Sequence, residues 1–273
     1  MVACDLVGRI VTNDSVGLTI PEPGMAAGTE TVEVHGNGAG FQIEVSLEGV
    51  VSFPEETEGS DDVGATASAA AASPGACVDT SYTTNDLKEY DIYNWYVGDG
   101  GMPGGLSQSA AQTAFADALN NITGSYNNCS YSDQVSAQSH YEGTTTYESD
   151  IDSSGNCSAR DEKSTWDAGN LPTGTVAQTC WWSWPIAGAK NDLREADVRY
   201  NTTDYSFTND PTSSCSDKYD VRSVGTHEAG HVFGMGHVGS GHSELTMYTY
   251  SYKCTTKART LGVGDVLGLR SIY

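Results

Sequence analysis

The chain has 273 residues, with 36 Asp and Glu against 13 Lys and Arg and a formal net charge of −23. That balance, with no run of basic residues, excludes a nucleic-acid binder, because phosphate contacts need clustered Lys and Arg. The 38% apolar and 9% aromatic content is enough for a sizeable core and argues against wholesale disorder, while the lack of any 18-residue apolar stretch excludes a membrane-spanning helix.

Taken in chain order, residues 1–53 show period-two alternation, clearest from Phe41 to Glu48. Thr31-Val32-Glu33-Val34 precedes it, Val50, Val51 and Phe53 follow, and turn residues fill the gaps at 21–24 and 36–38. This predicts a small β-rich N-terminal unit, or a pro-segment. Residues 54–76 are first acidic (Glu55, Glu56, Glu58, Asp61, Asp62), then almost purely Ala, Ser, Thr and Gly. That composition cannot build a core and reads as a linker, which makes 77–273 the second domain.

Within 77–273 a strand is expected at Tyr90–Val97. A helix capped by Ser107 should follow, with an apolar stripe of Leu106, Ala110, Ala114, Leu119 and Ile122. The next 55 or so residues are polar, and strands there can be placed only loosely. Thr175–Trp184 and Ala196–Tyr200 read as strands, Val221–Phe233 and Val263–Ile272 as helices. Strands mixed with about three helices predict an α+β fold.

Seven cysteines are dispersed with no C-x-x-C pair, which points to disulfides in an exported protein rather than to a redox motif or Cys-based zinc site. If Cys4 is the odd one, the other six allow 15 connectivities. Cys4, close to the start, is a disulfide partner, a spare thiol or a lipid-anchoring site outside the cell.

The chemistry concentrates in His227-Glu228-Ala229-Gly230-His231-Val232-Phe233-Gly234-Met235-Gly236-His237. His227 and His231 are four apart, so on a helix both imidazoles leave one face and can grip one metal ion. Gly234 can take the positive φ that stops the helix and turns His237 back toward that ion. Three imidazoles leave a fourth position open for water, the pattern of a catalytic zinc. Zinc lowers the pKa of that water toward ~7, and Glu228 is placed to take its proton as general base.

This segment resembles the extended zinc signature of the metzincin metallopeptidases, H-E-x-x-H-x-x-G-x-x-H, at every fixed position. Within that clan the chain from about residue 80 to 273 is most similar to the matrixins, the matrix-metalloproteinase-like catalytic domains. The supporting segments are Leu193–Tyr200, Leu245-Thr246-Met247-Tyr248 and Leu261–Tyr273 with Asp265. The resemblance implies a metzincin-like mixed twisted sheet and a secreted, monomeric endopeptidase acting on polypeptides. It also implies one catalytic Zn2+ and a Met-turn at Met247 that forms an apolar floor without ligating. Trp181, Trp182 and Trp184, alternating large aromatics in a strand, read first as core and edge packing, and the resemblance makes their segment the candidate for the upper rim of the cleft, where extended substrate pairs with a strand edge.

Departures from the family accompany the likeness. Cys4 lies in Ala-Cys-Asp-Leu and has none of the neighbours of the matrixin cysteine switch. His140 alone cannot supply a second, structural zinc. The acidic residues Glu148, Asp150 and Asp152 read first as a solvated acidic loop, with a Ca2+ site as the alternative. Two other readings stay open: a non-catalytic zinc-containing binding or adhesion module, and a zinc hydrolase acting on a non-peptide amide or ester.

Overall fold

The computed structural model describes residues 6–13, 15–34, 39–55, 57–60, 73–132, 135–158 and 160–273. The readings of Cys4 and of linker residues 61–72 lie outside these. The chain begins with β1 (Ile10–Asn13), β2 (Val16–Thr19), β3 (Met25–Glu33), β4 (Gly40–Val45) and β5 (Val51–Ser52). Next come β6 (Thr57–Ser60), β7 (Ser81–Thr84), β8 (Leu87–Lys88), β9 (Tyr93–Gly98) and helix α1 (Gln108–Thr123). The middle holds β10 (Ser139–Thr145), β11 (Asn156–Cys157), β12 (Ser164–Gly169), β13 (Thr175–Trp184) and β14 (Asn191–Asn201). It ends with β15 (Phe207–Thr208), β16 (Tyr219–Asp220), α2 (Val221–Val232), β17 (Met235–Gly236) and α3 (Val263–Ile272).

One large mixed sheet organises the molecule, in the order β10-β9-β12-β14-β13-β3-β4-β5. Strands β10, β9, β12 and β14 are mutually parallel, and β13 runs antiparallel to β14. From β13 onward the N-terminal strands continue the same sheet antiparallel. The N-terminal strands are therefore joined edge to edge with the strands that follow residue 77, and β13, which would otherwise expose a row of unpaired backbone groups, is covered.

Helices α1 and α2 pack together on one face of this sheet. Ser107 caps α1 as expected, its hydroxyl accepting from Ala110 N at 3.2 Å, and Ala114, Leu119 and Ile122 are fully buried. Beneath them, the Trp166 indole donates to the Tyr93 hydroxyl (3.0 Å), which itself donates to the Ala196 carbonyl (2.7 Å). The opposite face carries a second core, in which Leu18, Ile20, Ala27, Ile43 and Val45 meet Ile151, Leu171, Cys180 and Trp182. The alternation at Phe41–Glu48 is real only as far as Val45: the Ser46 hydroxyl then accepts from Glu48 N and Val50 N, closing a turn that leaves Leu47 exposed.

The polar middle contains a central strand that pattern could not reveal. Residues 164–168 of β12 are buried although three of them are polar. Asp167 is held by a two-pronged contact from Arg199 (2.9 and 2.6 Å) and by the backbone and hydroxyl of Ser149 (both 2.8 Å). Charge pairing replaces apolar alternation there, because a buried carboxylate is tolerated when every oxygen is answered. Disulfides join Cys77–Cys129, Cys157–Cys180 and Cys215–Cys254, which selects one connectivity from the 15.

Helix α2 starts from a buried anchor. The Asp220 side chain accepts from Ser223 N (2.9 Å) as N-cap and takes Arg259 on both oxygens (2.7 and 2.6 Å). Replacing it removes the cap and strands a guanidinium. Asp220→Ala is expected to lower the unfolding free energy by about 3 kcal/mol in urea titration; a loss below about 1 kcal/mol would show that the helix does not depend on this anchor.

Candidate metal centre and active site

Helix α2 presents His227, Glu228 and His231, all buried. It stops at Gly234, whose φ of 86° lies in the left-handed region. A Cβ there would run into the Leu87 carbonyl oxygen, so both backbone and space demand glycine. The chain then turns back through β17 and delivers His237. Three Nε2 atoms converge: His227 to His231 is 3.0 Å, His227 to His237 3.0 Å, and His231 to His237 3.2 Å.

The remaining ring nitrogens explain the orientation. Nδ1 of His227 donates to the Thr246 carbonyl (2.8 Å) and Nδ1 of His231 to the Met235 carbonyl (2.9 Å). Nδ1 of His237 faces the Glu30 carboxylate at 2.8 Å. Each partner accepts only, so each Nδ1 carries the proton and each Nε2 offers a lone pair. Burial, and then the neighbouring His237, push His227 down to about 3 and His231 well below the usual imidazole range. Neutral rings with three lone pairs aimed together repel unless a cation lies among them, and the spacing is close to that of nitrogen ligands about 2.0–2.1 Å from one tetrahedral zinc. The residues fit the metal.

Glu228 stands beside this triad. Its Oε2 accepts from the Thr179 hydroxyl at 2.6 Å, while Oε1 is buried with no hydrogen-bond partner. Burial, first of all, pushes this carboxyl up to about 8; the Thr179 hydroxyl and the Val32 amide pull it down, and Glu30 pushes it up. An unanswered carboxylate oxygen next to a metal position is suited to receive a proton.

Met247 lies under the helix, buried, and a Cβ on Gly230 would run into its sulfur, so the glycine within the motif lets the Met-turn approach. Asp265 holds that turn: its carboxylate accepts from Thr246 N (2.8 Å), Met247 N (3.1 Å) and Gly262 N (2.8 Å). Every site residue read from the sequence is therefore in one place. Glu30, Thr179 and the anchoring action of Asp265 were not legible; each acts through a partner remote in sequence, and only Asp265 had a signal, in the likeness of the C-terminal segment.

Other expectations fare differently. Glu148, Asp150 and Asp152 do not converge: Glu148 reaches Arg199 (3.2 Å), and Asp152 accepts from Ser154 and Asn156 in its own turn. Asp150 instead neighbours Asp161 and Glu195. His140 is exposed on β10, and His242 pairs with Asp79 at 2.9 Å. Trp181 and Trp182 are buried and Trp184 is half exposed, in keeping with the reading of this segment as core and edge packing. An open groove of about 930 Å³ lies between Glu44–Glu48 and Pro185–Asn191 and contains none of the triad.

No curated protein matches the chain. No helix of the described residues is long and apolar enough to cross a membrane. The family model of the matrixins matches residues 106–273, more than half of the chain and the whole of the histidine site. Together with the mixed sheet and three helices, that match places the chain in the matrixin family of zinc metallopeptidases.

Proposed function

We propose that the protein is a secreted zinc-dependent endopeptidase in which His227, His231 and His237 hold one ion and Glu228 is the general base. The observation that carries this is the convergence of three Nε2 lone pairs beside a buried carboxylate with one unanswered oxygen. When bound, zinc supplies Lewis acidity that polarises a peptide carbonyl and acidifies water. Glu228 takes the proton of the attacking water on Oε1 and passes it to the leaving amine, while Thr179 fixes the other oxygen so that the carboxylate cannot rotate away. Met247 is an apolar floor that keeps water from the back of the triad. Three disulfides support an extracellular setting. The protein acts as a monomer on polypeptides.

Turnover of a peptide library with and without chelator tests the class. Chelation should abolish cleavage and added zinc restore it; a zinc-loaded chain cleaving no peptide in any form would favour a binding module, and cleavage confined to glycan amides or esters a different hydrolase. Glu228→Ala should keep zinc and lower kcat by about 10²–10⁴-fold, and a variant working at the wild-type rate would sink the mechanism. Thr179→Val should keep zinc content and KM but lower kcat about tenfold, the signature of a positioning residue; an unchanged kcat would remove it from the mechanism.

A further inference from the structure

A group of carboxylates lies on the face of the sheet away from α1 and α2. Strand alternation in β14 sends Ala196, Val198 and Tyr200 into the helix-side core and Glu195, Asp197 and Arg199 to the other face. The segment between β10 and β12 is laid on that second face. The Cys157–Cys180 disulfide ties it to β13, Arg199 Nη1 donates to the Ile151 carbonyl (2.7 Å), and the backbone and hydroxyl of Ser149 donate to Asp167. Asp150 and Asp161 are thereby brought against Glu195, and one oxygen from each of the three lies within 4.8 Å of the other two.

Acidic loops are common and usually solvated, but oxygens of this group are sealed from water. Asp197 is 1% exposed; its Oδ1 accepts from Thr165 N (2.7 Å), while its Oδ2 is buried with no hydrogen-bond partner among the described residues. Oδ2 of Asp150 is buried and unanswered in the same way. Asp197 stands two residues from Glu195 on one face of the strand, and burial, then Glu195, Asp150 and Asp161, push its carboxyl well above the usual carboxylate range. The basic side chains around the group are committed elsewhere. Arg199 is taken up by Asp167, Glu148 and the Ile151 carbonyl, and Lys163 lies over the rings of Tyr96 and Tyr147. Arg160 Nε stops 3.9 Å from Glu195 Oε2 and makes no hydrogen bond. Four carboxyl groups thus share one patch, two of their oxygens are buried and unanswered, and such groups are costly to hold charged unless a cation lies among them.

The donor set selects the cation. Carboxylate oxygens without nitrogen or sulfur favour a hard ion. Ca2+ takes its oxygens at about 2.3–2.6 Å, so oxygens on opposite sides of one ion stand up to about 5 Å apart, the spacing of this group, whereas Mg2+ demands a tighter octahedron. A groove of about 390 Å³ whose lining includes Glu89, Glu142, Glu162 and Glu195 opens beside the group and gives a cation an acidic way in. We infer that Asp150, Asp161, Glu195 and Asp197 form a calcium site, separate from the histidine centre, that clamps the segment between β10 and β12 onto β14. The clamp steadies the strand whose Val198 pairs with Thr179, the residue that holds Glu228. Calcium binding at this place does not depend on the peptidase reading. The competing occupant is the proton: burial, first of all, pushes Asp150 up to about 7 and Glu195 up to about 8.

The test takes the full chain, stripped of metal and reloaded with one equivalent of zinc, and titrates it with CaCl2. Calorimetry reads the affinity and thermal unfolding the stability. Luminescence of Tb3+ excited through tryptophan reads the place, because Trp182 pairs across from Glu195. One equivalent of Ca2+ should bind with a Kd at or below about 1 mM, and Mg2+ at least about tenfold more weakly. A tenfold excess over Kd should raise the unfolding midpoint by about 3–6 °C. Terbium emission should appear and be lost on addition of Ca2+. Glu195→Gln should weaken binding at least about tenfold. Since that buried change could unfold the segment, Asp161→Asn, partly exposed and still able to accept from Lys163 N, is the second variant and should weaken binding likewise. Asp152→Asn removes a charge from the same segment but no oxygen of the group, and should bind as the wild type does. No calcium binding at about ten times the expected Kd, or equal losses in Asp152→Asn and Asp161→Asn, would overturn the site. So would a midpoint that ignores Ca2+ yet rises as the pH falls from about 8 to 6, the direction expected if raised carboxyls hold protons in the folded chain.

Discussion

Three imidazole nitrogens held 3.0–3.2 Å apart with their lone pairs facing are an unfavourable arrangement that the rest of the structure exists to enforce. Each ring is fixed from behind by an acceptor: the Thr246 carbonyl, the Met235 carbonyl and the Glu30 carboxylate. Each acceptor belongs to a different element, so the site is as rigid as the contacts among the Met-turn, β17 and β3. Burial, first of all, pushes His227 and His231 down toward the neutral form, which is the protonation state a metal needs.

The supports form a hierarchy. Asp265 gathers three backbone amides and so fixes the turn that carries both Thr246 and Met247. Asp220 and Arg259 fix the start of the helix that carries two of the histidines. Gly230 and Gly234 supply the close approach and the reversal that a side chain would block. Together they explain why a motif of eleven residues needs most of a domain to become a site: the ligands are local, but the hydrogen bonds that aim them come from far along the chain.

The same sheet edge serves two demands that conflict. An uncovered β13 is what a strand-binding peptidase requires, and it is also an aggregation hazard. Covering it with β3 from the same chain satisfies its backbone, while the apolar side chains of β2, β3 and β4 bury Trp182 and Leu171 on the opposite face. The acidic surface fits either a soluble exported enzyme or adaptation to salt, whereas the carboxylates that anchor the fold, Asp167, Asp220 and Asp265, are buried and answered by a guanidinium or by backbone amides.

The sequence by itself determined the helices at Val221–Val232 and Val263–Ile272, the strand Thr175–Trp184 and the zinc signature with Glu228, because these rest on local spacing, on caps and on glycine, where residue type and conformation are directly linked, whereas the Met-turn at Met247 was legible only through the family resemblance. It also fixed that six cysteines would be available from Cys77 on, without their partners. Tertiary structure alone decided that Asp167 sits in a buried strand, that Thr179 holds Glu228, and that Glu30 stands behind His237 some two hundred residues away. Strand alternation says which side chains share a face of β3, but not which edge the strand joins; that choice belongs to the unpaired backbone of β13 and to the apolar surface behind it.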